Sequence, residues 1–210
     1  MAPKLDFFFF YGSIHSYLSV MRIEGLAAAA GLEVCWRPFN LREILIEQGN
    51  TAFAKNPVRL AYNWRDIERR AARLGVPFAG RPPYPVDPEL LALRVGAVAA
   101  AEGWCAAYSK ATFRAWFLDQ RASGLPEHVE AVLAALGEPA RDVIAQARST
   151  ETDGLIKAAT DTARRLGIFG SPTFAVGPEI FWGDDRLEDA IEHARTLAPH
   201  ADRPAEAASG

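Results

Sequence analysis

Ser13 stands in a tight Gly12-Ser13 turn that follows an aromatic run and precedes an apolar stretch of helical length. A hydroxyl there, with the free backbone N–H groups of a helix start beside it, aims several hydrogen-bond donors at one point. His15 follows two positions later. Its imidazole is either a proton donor or acceptor toward a ligand, or a packing side chain at a helix start, where the helix lowers its pKa. Far along the chain, Ser171-Pro172-Thr173 lies between a helix stop and a strand start. An X-Pro bond tolerates cis far better than other peptide bonds, and a cis bond here exposes the backbone groups of Ser171 to an extended ligand; an ordinary trans turn is the alternative. The two cysteines, Cys35 and Cys105, form no C-x-x-C and no metal-ligand spacing. Both sit among apolar neighbours, which predicts buried, reduced thiols. The turn reads S-I-H-S where dithiol chemistry requires C-x-x-C. No G-x-S-x-G surrounds Ser13, and His15 is too close to it in sequence to act as an ordinary base, so a serine hydrolase is disfavoured.

The elements around these groups follow from periodicity. Leu5 and the run Phe7 to Tyr11 read as a strand covered on both faces. The segment from Ile14 to Ala30 reads as one helix, apolar on more than one face and stopped by Gly31. Leu32 to Phe39 reads as a second strand, closed by Pro38. From Leu41 to Leu166 nearly everything is helical in pattern. The first helix of this block spans 41–48. A second carries the seam Leu60, Trp64, Ile67, Ala71 and Leu74, and a third runs from Pro88 at a first-turn position to Glu102. Others are expected over 109–123, 127–136, 139–149 and 152–166. Thr173 to Val176 and Glu179 to Trp182 then read as a hairpin across Gly177-Pro178, and Arg186 to Leu197 as an amphipathic terminal helix.

The order β-α-β, helical block, β-β-α predicts an α/β, thioredoxin-like fold (βαβ…ββα) with an all-helical insertion. The expected divisions are 1–40 with 167–197 for the discontinuous thioredoxin-like domain, 41–166 for the helical insertion, and 198–210 for a disordered tail. In such a fold the Ser171-Pro172 turn faces the start of the first helix. The 210 residues carry 23 basic and 26 acidic side chains, a net charge of -3, and half are hydrophobic. That balance offers no electrostatic case for nucleic acid or an anionic membrane, and no segment approaches spanning length. The expected partner is a small molecule or a second copy. Few cysteines and no signal-like N-terminus predict a cytoplasmic location.

The segments S-I-H-S-Y-L at 13–18, R-L-A-Y-N-W-R-D-I-E-R at 59–69, P-E-L-L-A-L-R at 88–94, F-R-A-W-F at 113–117, G-I-F-G-S-P-T-F at 167–174 and F-W-G-D-D-R-L at 181–187 together resemble the 2-hydroxychromene-2-carboxylate isomerases. These are glutathione-dependent relatives of kappa-class glutathione transferases in the DsbA-like thioredoxin superfamily. The resemblance implies glutathione as cofactor and Ser13 as the catalytic hydroxyl at its sulfur. It implies a cysteinyl unit paired with the backbone of Ser171 before cis-Pro172. Asn50 and Arg59 fall where the family holds the glycyl end, and Asp184 and Asp185 where it grips the γ-glutamyl ammonium group. On the residues alone, Arg59 is equally a solvated helix charge and Asp185 equally a cap of the terminal helix. His15, Tyr17 and Trp64 are candidate pocket residues for a small aromatic carboxylate substrate, with Phe113, Trp116 and Phe117 as further apolar wall. A homodimer is also implied. The family usually has proline at 14 and an aromatic residue at 15, where this chain has Ile14 and His15. Two other readings are a kappa-class-like transferase or reductase, and a non-catalytic thioredoxin-like glutathione-binding protein.

Overall fold

The computed structural model describes residues 3–50, 56–84 and 86–197. Its centre is β1 (Lys4–Phe9), whose Leu5, Phe7, Phe8 and Phe9 are buried. β1 pairs in parallel with β2 (Glu33–Pro38) and antiparallel with β3 (Thr173–Val176), which pairs antiparallel with β4 (Glu179–Trp182). The order is therefore β2-β1-β3-β4. Register places aromatic rings side by side on one face. Phe7 lies opposite both Trp36 and Phe174, with ring centroids 5.2 Å and 5.4 Å away, and stacks on Phe9 at 4.8 Å. Such pairs contribute about 0.5–1.5 kcal/mol each beyond burial. This ring stack fixes the strand whose end delivers Ser13.

The chain leaves β1 through a turn closed by the Ser13 N–H donating to the Phe10 carbonyl at 2.9 Å. The single helix expected over 14–30 is instead two, α1 (Ile14–Val20) and α2 (Ile23–Ala29). Between them the Arg22 N–H donates to the Ser19 carbonyl, a tighter i to i−3 bond that interrupts the α pattern. Arg22 there forms an ion pair with Glu188, so a tertiary contact holds the break. With only seven residues in α1, less of a helix dipole stands behind Ser13 than one long helix would supply.

The block between β2 and β3 contains α3 (Leu41–Glu47), α4 (Pro57–Leu74), α5 (Leu91–Glu102), α6 (Cys105–Phe117), α7 (Pro126–Leu136), α8 (Ala140–Ala147) and α9 (Thr150–Arg165). Two starts differ from expectation. Pro88 does not open α5. Leu90 takes a left-handed φ of 60°, and Asp87 caps the helix from farther back, accepting from the N–H groups of Ala92 at 3.2 Å and Leu93 at 3.3 Å. α6 begins at Cys105, two residues past the left-handed Gly103 that ends α5, and stops at Phe117. The chain closes with a 3-10 turn (Asp184–Arg186) and α10 (Leu187–Leu197). The expected tail at 198–210 lies outside the described residues. α5 and α9 pack on β2, α10 packs on β1, β3 and β4, and one continuous apolar core runs from the sheet into the helical block. The fold is α/β and thioredoxin-like, a mixed four-stranded sheet with a helical insertion. Cys105 is buried, with its thiol pushed up to about 12 by burial. Cys35, expected buried, is only partly so, because β2 is an edge strand.

Candidate active site

Three serines join the turn after β1 to the loop before β3. The Ser13 hydroxyl accepts from the Ser16 N–H at 3.3 Å, capping α1, and donates to the Ser171 carbonyl at 2.9 Å. The Ser171 hydroxyl accepts from the Phe10 N–H at 3.0 Å and shares a hydrogen bond of 2.8 Å with the Ser16 hydroxyl. The Ser171–Pro172 bond is cis, and the Pro172 carbonyl accepts from the Gly183 N–H at 2.9 Å. Ser13 and Ser171, far apart in the chain, thus sit in direct contact. Ser16 was not among the candidate residues; the S-x-x-S spacing is the signal that would have found it.

Beside this contact opens a cleft of about 980 Å³. Ser13, His15, Asn50, Arg59, Ser171, Pro172, Asp184 and Asp185 all line it. That volume is at the upper end of small-ligand sites. Asn50 and Arg59 flank residues 51–55, which lie outside those described. Arg59 is exposed in the first turn of α4, where its N–H donates to the capping Asn56 Oδ1 at 3.0 Å. Asp184 is buried, and its Oδ2 accepts from Arg70 Nε at 2.9 Å and Nη2 at 2.5 Å. Burial pushes the Asp184 carboxyl up and the Arg70 guanidinium pulls it back. Asp185 is exposed and 3.6 Å from Arg186, and its carboxylate makes no cap hydrogen bond to α10 among the described residues. Of the two acids expected to hold an ammonium group, Asp185 is the accessible one.

Tyr17 and Trp64 stand behind the cleft rather than on it. Tyr17 is fully buried, stacked on Phe117 at 4.0 Å and donating to the Pro77 carbonyl, with its hydroxyl pushed up to about 12 by burial. Trp64 packs edge-on against Tyr84 at 5.8 Å, and it is Tyr84 that reaches the cleft. Phe113, Trp116 and Phe117 are likewise core. The apolar surface of the cleft comes instead from Phe10, Tyr62, Tyr84, Phe169 and Trp182, of which Phe169 and Trp182 pack edge to face at 4.8 Å. An aromatic ligand ring would meet these.

The residues missed from sequence are mostly on α4. Asn63, Asp66 and Arg70 follow the expected Arg59 at steps of four, three and four, a polar stripe next to the apolar seam, and all four line the cleft. The seam drew attention to the buried side of the helix, and the stripe beside it was the available signal. Asp66 Oδ2 lies 4.0 Å from His15 Nε2. His15 is partly exposed; burial pulls its pKa down, and the charges of Asp184 and Asp66 oppose that.

Residues 4–194 match the DsbA-like thioredoxin domain family. Two curated relatives are the 2-hydroxychromene-2-carboxylate isomerases of Sphingobium xenophagum, 29% identical over 90% of this chain and 96% of its own length, and of Pseudomonas putida, 28% identical over 87% and 90%. Among solved structures, a 2-hydroxychromene-2-carboxylate isomerase superposes with a TM-score of 0.81 at 27% identity, covering 92% of this chain and 94% of that one. The cytosolic disulfide reductase DsbM of Pseudomonas aeruginosa superposes at 0.63 with 19% identity, over 92% and 95%, a likeness of fold alone. With a family match over nearly its whole length, and with the strand order and cis-Pro loop described above, this chain belongs to the DsbA-like thioredoxin domain family.

Proposed function

We propose that this protein is a glutathione-dependent isomerase acting on an aromatic α-keto acid of the 2-hydroxychromene-2-carboxylate type. One observation carries the reading: the thioredoxin-type turn contacting the cis-Pro loop has hydroxyls at both Ser13 and Ser16 and no sulfur of its own. Cys35 lies on β2 and Cys105 is buried in α6, so neither supplies the missing thiol. A thiol ligand fits the cleft's composition. Arg59 and Asn50 offer donors for a carboxylate, Asp185 offers an acceptor for an ammonium group, and Ser13 and the Ser171 backbone lie on the same cleft. The relatives named as isomerases match 87–92% of this chain, which favours isomerisation over a transferase or reductase.

Bound glutathione, held by Ser13, the Ser171 backbone, Arg59, Asn50 and Asp185, would supply a thiolate nucleophile for reversible addition to an activated carbon. The protein's part is to hold and orient. In the structure the Ser13 hydroxyl is spent on the Ser171 carbonyl. Turning it toward sulfur frees that carbonyl to accept a cysteinyl N–H, so one hydroxyl rotation readies both contacts, at a loss of about 1 kcal/mol for the bond given up. Tyr84, Phe169 and Trp182 provide the faces for the aromatic ring.

The test is calorimetric binding of glutathione to the wild type and to Ser13→Ala, with free thiol counted during turnover of an aromatic α-keto acid. Expected are binding at millimolar glutathione or below, affinity reduced about tenfold or more in the variant, and a constant thiol count. Ser13→Ala also removes the cap of α1, about 1 kcal/mol, so its urea unfolding is measured alongside. Absence of binding by the wild type at millimolar glutathione refutes the reading. Stoichiometric loss of thiol makes the protein a transferase or reductase.

A further inference from the structure

His15 stands in the first turn of α1, two residues past Ser13, and the structure gives it a setting. The ring lines the same cleft as Ser13, with its Nε2 turned toward Asp66. The charged groups facing it are Asp66 and Arg70 from α4 and Asp184 and Asp185 from the 3-10 turn; α1 itself contributes none. Arg70 is already bound to Asp184. Asp66 is also 3.4 Å from Arg69 and Asp185 3.6 Å from Arg186, so the field at the ring is the balance of three paired carboxylates against Arg70. A proton added to it meets negative charge, yet without one the partly buried ring is neutral near pH 7 and able to accept.

We propose that His15 is the proton acceptor of this site, taking the thiol proton of bound glutathione and holding it as an imidazolium ion against Asp66. The inference rests on the glutathione reading above. The tautomer with its proton on Nε2, toward Asp66, leaves Nδ1 as the accepting nitrogen. The S–H bond breaks with its electron pair staying on sulfur, and a new N–H bond forms at Nδ1. No other reactant is needed. The proton stays on His15 while the thiolate adds and leaves, and returns to sulfur when glutathione departs as the thiol. Ser13 supports the sulfur by a hydrogen bond, and His15 with Asp66 balances its charge, the imidazolium–thiolate logic of cysteine enzymes with the sulfur on the ligand.

The experiment follows both partners of the transfer. Thiolate absorbance of bound glutathione is titrated in wild type, His15→Gln and Asp66→Asn. The thiolate-to-thiol ratio near pH 7 is expected to fall about tenfold in His15→Gln, an upward shift of about one pKa unit, and by less in Asp66→Asn. Imidazole nitrogen shifts of His15, assigned in the wild type through its sequential backbone and side-chain resonances, are recorded at pH 7.5. They are expected to move to the imidazolium position on saturation with glutathione and to stay neutral with S-methylglutathione, which has no thiol proton to give. This wild-type readout stands even where a variant misfolds. Glutathione binding with His15 still neutral, or an unchanged thiolate titration in His15→Gln, overturns the proposal and leaves the glutathione reading intact. No binding by the wild type overturns both.

Discussion

Two influences act on the His15 ring in opposite directions. Burial disfavours its charged form, while Asp184 and Asp66 favour it, and burial is the larger. Without ligand its folded pKa is therefore below the unfolded value of about 6.5. In the window between those two values the unfolded chain binds more protons than the native one, so acid favours unfolding. The contribution of His15 to stability is full above pH 6.5 and is lost as pH falls through the folded pKa. Urea unfolding from pH 7.5 to pH 5 should accordingly show a shallower acid-side decline in His15→Gln than in the wild type. A parallel decline in both would mean that the ring is not held neutral. At this scale the candidate residues were readable only where a local pattern announced them. Ser13 followed from a strand, a Gly-Ser break and a helix, and Ser171 from its place before a proline. Tyr17 and Trp64 were drawn toward the cleft by ring chemistry, and both are core residues behind it. Asp66 and Arg70 look like ordinary helix charges until α4 is set beside the turn.

Elements with local punctuation matched expectation closely. β3 and β4 occupy Thr173–Val176 and Glu179–Trp182, with Gly177 left-handed between them, as the alternation and turn residues predict. Elements whose ends depend on distant contacts did not. The break between α1 and α2 is tied to Glu188, and α5 starts where Asp87 reaches past a left-handed Leu90. Gly96 shows the same principle inside a helix. It reads as an unremarkable position of α5, yet an added Cβ would lie 2.4 Å from Tyr11 Cε2 and 2.5 Å from its hydroxyl. Tyr11 cannot easily yield, because it is fully buried and its hydroxyl shares a 2.8 Å hydrogen bond with Ser109. Alanine gains about 1 kcal/mol over glycine in helix propensity, whereas overpacking a filled core costs about 1–3 kcal/mol. With two ring atoms and the hydroxyl oxygen of Tyr11 closer than any ordinary contact, the clash should win. Gly96→Ala is expected to lower stability by about 1 kcal/mol in urea unfolding, and a more stable variant would show that the ring moves aside. Since Tyr11 ends the run that delivers Ser13, the glycine also lets α5 approach the turn of the site.

At the scale of the whole molecule, an ion pair joins the helical block to the closing β-β-α segment at the cleft. Arg70 comes from α4 and Asp184 from the 3-10 turn before α10, with side chains 16% and 3% exposed. The two walls of the site are thus fastened to each other by a contact that no local pattern could announce, since its partners belong to separate elements with the rest of the block between them. A buried pair of this kind adds little beyond what a matched apolar pair would give, but removing one partner strands the other and costs about 3–5 kcal/mol. Arg70→Met leaves the Asp184 carboxylate without its guanidinium and beside Asp185. Its folded pKa, already raised by burial, must then rise further. A group with a raised folded pKa is fully favourable only below its unfolded value of about 3.9 and loses that contribution as pH climbs through the folded one. The destabilisation by Arg70→Met relative to wild type should therefore be largest at neutral pH, about 3 kcal/mol, and shrink toward pH 4. Adding Asp184→Leu to it should recover most of the loss at pH 7, because no charge is then left buried. Urea unfolding of the single and double variants at both pH values checks this. An equal loss at pH 7 and pH 4, or a double variant no better than the single, would mean that packing rather than charge joins the two walls.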